Sequence, residues 1–466
     1  MDGLEYSEIL FSQIDLGDRF DSDYYTKNYL HISDQMSKVS TEKLGKLATA
    51  VASAFYPAAT QLYSEGDTAF ARCVDCVSYP VITKDQDSKF EKIPYTFGKK
   101  NKGISFIKTE DIITKVGTPC YASILTDYDE IALSRTVMGL TGIHGIDPYY
   151  LMVFLRCKYG FEQLFRQREL TIQYQLTLPR VKAVDVFLAD DKLQKAVNRL
   201  CGKSREFQKN SNEAYQFAEQ TLMEIVKCPD FSAFGTHSIK SINESFTLSG
   251  RLDAEYYQPK YEAIVKKLNT RETVLSLCNL HDKNYNPDAK QTYQYIELAD
   301  VGQSGDISDV DIQYGSALPT RARRIVKSGQ VIVPSVEGSL QSCALITDEY
   351  DGVLCSTGFY VLDSDCINSE TLLVLFKSEP IQALMKQRCS GTILTAISKD
   401  ELLSMPLPMI DDDIQEEIAA KVQESFALRK QSKQLLEYAK QAVEMAIEQG
   451  EDVALAWLKD KIPVEV

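Results

Sequence analysis

The sequence predicts an α+β protein written twice: two tandem mixed α/β domains, each followed by a long helix. Three observations lead there. A tyrosine-rich phrase near the start returns in mid-chain at a constant offset. Strand-like and helix-like segments follow both copies in the same order, and each half closes on a proline-free, amphipathic stretch of about 35 residues.

The phrase is RFDSDYYTKNYLHI from Arg19 and RLDAEYYQPKYEAI from Arg251. An offset of 232 places Leu16 on Leu248, Arg19 on Arg251, Asp21 on Asp253, Tyr24 on Tyr256, Tyr25 on Tyr257, Tyr29 on Tyr261 and Ile32 on Ile264. Chance rarely matches so many residue types at one offset. Next, FARCVDC (70–76) lies over YIELADV (295–301), and both read as short strands. FIKTEDIITKVG (106–117) and IVKSGQVIVPSVEG (325–338) each combine an exposed turn, an apolar strand and a glycine-bearing loop. An alternating strand segment then precedes an apolar helix: YASILTDYDEIALS before YYLMVFLRCKYGFEQLF, and ALITDEYDGVLCS before ETLLVLFKSEPIQALMK.

The closing stretches, 192–226 and 413–448, share an offset of 221 that pairs Leu193 with Ile414, Gln194 with Gln415 and Val197 with Ile418. It also pairs Phe207 with Leu428, Ser211 with Ser432, Ala214 with Leu435 and Ala218 with Ala439. Apolar members recur at three- and four-residue steps between charged ones, the pattern of a helix that packs along another. Such a helix would span roughly 50 Å. Residues 227–246 mix Pro, Gly, Ser and Thr without periodicity and read as a connection, whereas 450–466 have no counterpart in the first half. The expected division is a first domain 1–189, helix 190–228, linker 229–247, second domain 248–410, helix 411–449 and tail 450–466.

Composition bounds the function. At 466 residues, 44% hydrophobic and 25% charged, the chain has the profile of a folded multidomain protein. It has no apolar run long enough to cross a bilayer, and MDGLEYSEIL lacks the features of a secretory leader, so a cytoplasmic location is expected. The eleven scattered cysteines fit a reducing compartment. A net charge of −15 runs against a chain that wraps DNA unaided, because phosphate binding uses a basic surplus. Local basic patches, with the main clamp on partner subunits, would reconcile the two.

The order of domain, long helix, domain, long helix resembles the specificity subunits of type I restriction-modification systems across nearly the whole chain. The RLDAEYYQPKY phrase and the proline-rich strand leading through a Gln into a helix, MPLPMIDDDIQEEIA, are similar to that family's wording. The first half, VDVFLADDKLQKAV, lacks those prolines. The resemblance implies two target-recognition domains that each read one half of a bipartite site on double-stranded DNA. It implies long helices packed as an antiparallel coiled coil with pseudo-twofold symmetry, which fix the gap between half-sites. It also implies that the helices dock methyltransferase subunits, two of them, with a separate restriction/translocase subunit. No cofactor is expected on this chain; S-adenosylmethionine would sit on the methyltransferase.

Enzyme-like strings read more simply as structure. Asp147-Pro148-Tyr149-Tyr150 differs by one residue from the Asp-Pro-Pro-Tyr of amino-methyltransferases. With no glycine-rich cofactor turn nearby, Pro148 is expected in a first helical turn capped by Asp147. Cys73 and Cys76 form a lone CxxC that falls on Leu298 and Val301 of the other copy, so core packing is expected. His31, His144, His237 and His281 have no ligand spacing, so no metal is expected. No catalytic residue is expected.

DNA contact is expected from clusters. The first half offers Lys89, Lys92, Tyr95, Lys99, Lys100, Asn101 and Lys102, with Phe97 interleaved. The second offers Arg321, Arg323, Arg324 and Lys327 in the corresponding stretch before the strand. Candidate base readers in the following glycine loops are Thr118, Tyr121, Ser335, Ser339 and Gln341. The helix positions expected to carry partner docking are Leu193, Val197, Phe207, Ala214, Ala218, Ile414, Ile418, Leu428, Leu435 and Ala439. A DNA adenine methyltransferase-like enzyme and a scaffold that binds protein only are the competing readings.

Overall fold

The computed structural model describes residues 6–11, 14, 19, 21–55, 62, 66–78, 80–84, 90–117, 121–169, 175–226, 237–302, 304–307, 310, 312–391 and 395–462. The chain divides into two compact units, and the cut passes through both long helices: residues 1–207 with 430–466 form unit 1, and residues 208–429 form unit 2.

Unit 1 holds two sheets. One orders its strands Thr49–Ala52, Val137–Thr141, Ile112–Lys115, Ala122–Leu125, Val81–Ile82. The other runs Glu91–Ile93, Thr68–Ala71, Ile131–Leu133, Phe106–Ile107, and its central pair is parallel, with Phe70 opposite Ala132. Unit 2 repeats the plan. Asn279–Leu280, Phe359–Asp363, Val331–Pro334 and Ala344–Leu345 form one sheet. Ile312–Tyr314, Thr292–Ile296, Leu354–Ser356 and Ala322–Ile325 form the other, again with a parallel central pair, Tyr295 opposite Leu354. The alternating segments of the sequence are thus two strands each, one for either sheet.

The stretches 70–76 and 295–301 are strand only as far as Ala71 and Ile296. Helix Cys73–Ser78 and the 3-10 turn Leu298–Asp300 follow. The same side chain ends both strands. Asp75 Oδ2 accepts the Arg72 N–H at 2.7 Å, and Asp300 Oδ2 accepts the Glu297 N–H at 2.7 Å, so a carboxylate caps the turn and competes with the ladder.

Asp75 is buried, and its carboxyl is pushed up to about 6, first by that burial, against the pull of the Arg72 N–H and guanidinium. The folded value lies above the unfolded ~3.9. Its stabilising contribution is therefore complete below about pH 4 and is lost as pH rises through about 6. In urea titrations, Asp75→Asn is expected to gain on wild type by on the order of 1 kcal/mol between about pH 5 and pH 7.5. Parallel pH curves for the two proteins would refute this.

Each apolar helix of the sequence is two helices. Pro148–Arg156 and Lys158–Arg166 meet at Cys157, which is extended at φ −72° and ψ 166°. Ser369–Lys377 and Glu379–Arg388 meet at Ser378, at φ −65° and ψ 145°. In the second copy Pro380 lies in the first turn after the break, where it has no use for an N–H. The leading member of each pair is buried from Tyr150 to Leu155 and from Thr371 to Lys377, a helix wrapped on every side, which explains the absence of a polar face in its sequence.

The long helices are Asp191–Val226 and Asp412–Gln449. Within unit 1 they run antiparallel. Asp190, just before the first, donates its N–H to Glu451, just after the second, at 2.8 Å, and Ser204 Oγ meets Ser432 Oγ at 2.8 Å. Within unit 2, Ser211 Oγ meets Ser425 Oγ at 3.0 Å. At an offset of 221 these are one contact with the helices exchanged, since Ser204 corresponds to Ser425 and Ser432 to Ser211. Small hydroxyls there let the helix backbones approach closely, and those of Ser204, Ser211 and Ser432 bond the facing carbonyl as well.

The junction into each long helix differs between copies. Thr41–Lys43 pairs with Asp185–Phe187 over three residues, whereas Thr273 makes a single bridge to Pro406. Pro406 and Pro408 have no N–H to extend that ladder. The tail, for which the sequence offers no role, is a helix, Glu451–Lys461, whose Ala454 and Leu458 are fully buried in the core of unit 1. Its Trp457 ring lies edge-on to Tyr438 at 5.6 Å.

Candidate nucleic-acid interface

The lysine cluster of unit 1 sits on the sheet that starts with Glu91–Ile93, the outer one because none of its strands joins the core around the long helices. Lys92 lies in edge strand Glu91–Ile93, and Tyr95, Lys99 and Lys100 lie on the short helix Tyr95–Lys100 that follows. That helix covers the sheet through Phe97 and Gly98, where a Cβ would stand 2.8 Å from the Phe106 ring. Lys99 pairs with Glu130 at 2.5 Å and lies 4.0 Å from the Phe106 centroid; Glu130 raises its pKa. Asn101 caps the helix and its Oδ1 accepts the Gly103 N–H at 2.9 Å. Lys89 and Thr118 lie outside the described residues.

The arginines of unit 2 are not on the equivalent element. They lie on and beside Ala322–Ile325, the opposite edge of that unit's outer sheet. There they are engaged. Arg321 reaches Glu297 at 2.9 Å and the Tyr295 hydroxyl at 3.3 Å, and these partners raise its pKa. Arg323 donates to Asn286 and to Thr320 O, and Arg324 donates to Phe359 O. Lys100, Lys102 and Lys327 are exposed, and among the described residues their ammonium groups have no hydrogen bond or ion pair. They are the cations left for an outside anion.

The corresponding positions Arg72 and Glu297 carry opposite charges. Arg72 pairs with Glu91 at 3.4 Å, whereas Glu297 pairs with Arg321. The two units thus share a frame and differ in the charges placed on it.

The loop candidates are mixed. Tyr121 is half-buried beneath the Arg156 guanidinium and beside Phe161, so it packs inward. Ser335 Oγ donates to Gly358 O at 2.9 Å. Ser339 closes the 3-10 turn Glu337–Ser339, and Gln341 is exposed while its carbonyl accepts from Lys377 at 2.5 Å.

Eight of the ten helix candidates, all but Ala214 and Leu428, pack into this chain's own cores. Leu193, Val197, Ala214, Ala218, Ile418, Leu435 and Ala439 are buried, and Phe207, Ile414 and Leu428 are half-buried. An outside partner would meet the other faces, where Phe217 and Ile225 are exposed.

Asp147 caps its helix, its Oδ1 accepting from the Tyr149 and Tyr150 N–H groups at 2.9 and 3.0 Å. Cys73 is a free thiol partly buried against the core, and the Cys76 side chain lies outside the description. The four histidines are exposed. Among the described residues no group of three or more His, Cys, Asp or Glu is placed to hold a metal, and no helix is long and apolar enough to cross a membrane.

Sequence reasoning missed two devices. Gln194 accepts the Asp147 N–H at 2.8 Å and donates to Ala189 O at 2.7 Å. Gln415 accepts the Asn368 N–H at 2.7 Å and donates to Ile410 O at 2.9 Å. One amide thus ties the start of each long helix to the capping residue of the buried helix in the same unit. The shared Gln of the repeat was the available signal. The second device is the Arg-Asp-Tyr-Tyr phrase. Arg19 and Arg251 each hold their Asp with two nitrogens and donate to a carbonyl after the second core helix, Arg168 O at 2.9 Å and Cys389 O at 3.0 Å. The hydroxyls of Tyr25 and Tyr257 bond back to the arginine carbonyls. The phrase is a clasp.

No protein-family model matches the chain, and no curated protein matches it. Among solved structures it is similar to the S subunit of a type I restriction-modification system from M. genitalium, at 13% identity over 89% of this chain and 94% of that one, with a TM-score of 0.35. It is similar to the HsdS subunit from Thermoanaerobacter tengcongensis, at 14% identity over 89% of this chain and 96% of that one, with a TM-score of 0.26. A third similar chain comes from a structural study of the assembly and conformational transition of the type I R-M system, at 14% identity, 88% and 98% coverage and a TM-score of 0.26.

Proposed function

We propose that this chain is the non-catalytic specificity subunit of a type I restriction-modification complex, or of a related methylation-linked defence complex. It reads a bipartite site on double-stranded DNA and recruits methyltransferase subunits. The observation that carries this reading is the duplication: two units that share one strand order, apart from the extra edge strand Val81–Ile82 of unit 1, and one Gln lock, but place different charges on their outer sheets. A shared frame with different surfaces suits two readers that must present different side chains in equivalent poses. Joining them makes the second half-site contact intramolecular.

Lys100, Lys102 and Lys327 hold phosphates, and the polar side chains of the neighbouring loops read base edges. The acidic remainder of the chain leaves most counterion release to the methyltransferase, which also brings S-adenosylmethionine. The restriction/translocase subunit joins through that complex.

The test is reconstitution with a methyltransferase subunit, followed by mapping of methylated adenines and DNA binding across a salt series. Lys100→Gln, Lys102→Gln and Lys327→Gln together are expected to weaken binding about equally on cognate and non-cognate DNA, and to reduce the salt slope by about one per lysine. Methyl transfer by the isolated chain would favour the enzyme reading. A complex that forms but binds no DNA would favour the scaffold.

A further inference from the structure

Unit 2 contains a cavity of about 660 Å³ between the end of its long-helix segment and the core helix pair. Leu222 and Met223 form one wall, and Val374, Lys377, Gln382 and Ala383 form the other. Two of these side chains are polar and buried: Lys377 is 6% exposed and Gln382 is 8% exposed. The Lys377 ammonium donates to Gln341 O at 2.5 Å and Cys343 O at 3.5 Å, so one of its three N–H groups has no acceptor among the described residues. The Gln382 amide donates to Leu340 O at 2.8 Å and Phe376 O at 2.6 Å, and its Oε1 has no donor among them. Both groups line the cavity, and each keeps a bonding position that a guest there can fill. Burial lowers the Lys377 pKa, against the opposing pull of Asp306 and Glu219.

The internal repeat indicates the shape of that guest. At an offset of 221, Arg156 stands for Lys377 and Ala122 for Cys343, and the contact is kept: Arg156 donates to Ala122 O at 2.7 Å. In unit 1 the guanidinium lies 5.2 Å from the Tyr121 ring centre, Tyr121 lies 5.7 Å from Phe161, and Phe161 stacks on Phe165 at 6.0 Å. The matching positions in unit 2 are Ser342, Gln382 and Lys386, none of which is aromatic. Unit 1 fills the place beside its cation with its own rings; unit 2 leaves it open.

We propose that the cavity of unit 2 binds an aromatic ring that carries a single carboxylate. The carboxylate completes Lys377, the ring lies against Leu222, Met223 and Val374, and a ring N–H, as in an indole, meets Gln382 Oε1. The charged lining is balanced, Glu219, Glu337 and Glu379 against Lys260, Lys377 and Lys386, which suits one negative charge at the buried Lys377 better than a polyanion. The ligand is either a free aromatic acid or the carboxyl-terminal aromatic residue of a polypeptide. Both walls belong to unit 2, one on the long helix and one on the core pair, so occupancy would stiffen that junction. The inference does not depend on the DNA reading.

Calorimetric titration of the full chain with indole-3-acetate and with the tripeptide Gly-Gly-Trp tests it, with tryptamine and adenosine monophosphate as controls. At least one carboxylate is expected to bind saturably and neither control to compete. Tighter binding of the free acid identifies the small-molecule source, and tighter binding of the tripeptide, abolished by amidating its terminus, identifies the chain end. Lys377→Met is expected to weaken binding roughly 10- to 100-fold, the loss of a charge-assisted hydrogen bond. Ala383→Trp, which fills the cavity from its rim and leaves Lys377 in place, should block binding with the thermal midpoint kept. Absence of saturable binding up to about 10 mM, equal binding of tryptamine, or unchanged affinity in both variants would overturn the proposal.

Discussion

Asp306→Ala is expected to cost unit 2 roughly 3 kcal/mol of stability. Asp306 Oδ1 accepts from Arg429 Nη1 at 2.5 Å, and the Arg429 side chain is only 7% exposed on the second long helix. The same guanidinium donates to Ser211 Oγ on the first helix, 3.3 Å away. Removing the carboxylate leaves a buried cation whose remaining hydrogen-bond partner among the described residues is the neutral Ser211 hydroxyl. Arg429→Leu in the same chain should recover most of the loss, because the pair would then be replaced by apolar volume. Chemical denaturation of the two single variants and the double variant gives the coupling. A coupling near zero would mean that the pair lies in effectively aqueous surroundings.

Gly160→Ala is expected to destabilise unit 1 by about 3 kcal/mol. The glycine sits in the first turn of Lys158–Arg166, folded back against the end of Pro148–Arg156. A Cβ there would run into the Phe154 carbonyl and stand 2.7 Å from Leu155 Cα, which is backbone and cannot rotate away. The position needs a missing side chain, since alanine would otherwise favour the helix. A differential thermal shift in which the variant melts with wild type would show that the helix pair can open at little cost.

The repeat was legible because its signals are side chains with one job in both copies. Arg19 and Arg251 close the same clasp, and Gln194 and Gln415 make the same lock, so the offsets of 232 and 221 survive the drift around them. The long helices were legible for a different reason: uninterrupted amphipathic sequence over so many residues has few other ways to fold.

Where the reading failed, one local bond outweighed pattern. The strand-like runs at 70–76 and 295–301 end early because Asp75 and Asp300 cap the backbone N–H groups of Arg72 and Glu297. The breaks at Cys157 and Ser378 are marked only by short polar interruptions, Arg156 to Lys158 and Lys377 to Pro380, inside otherwise apolar runs. The tail was set apart in the sequence but given no role, because it has no copy to compare with. Its apolar positions, Ala454 and Leu458, acquire meaning only against the core they enter.

Charge was the least legible feature. The arginine-rich stretch of the second half looks available in sequence, yet Arg321, Arg323 and Arg324 are occupied by Glu297, Asn286 and Phe359 O. The lysines that remain are fewer, and they lie on different elements in the two units.

The membership of unit 1 sets an order of manufacture. Its core contains Leu193 to Cys201 side chains from early in the chain and Leu435 to Leu458 side chains from its end. A ribosome therefore delivers the first domain's sheets more than two hundred residues before the segment that seals them. Until then the nascent chain leaves an apolar seam uncovered while the whole of unit 2 is made, the interval in which a chaperone would act. The unit begun first is the last to be finished.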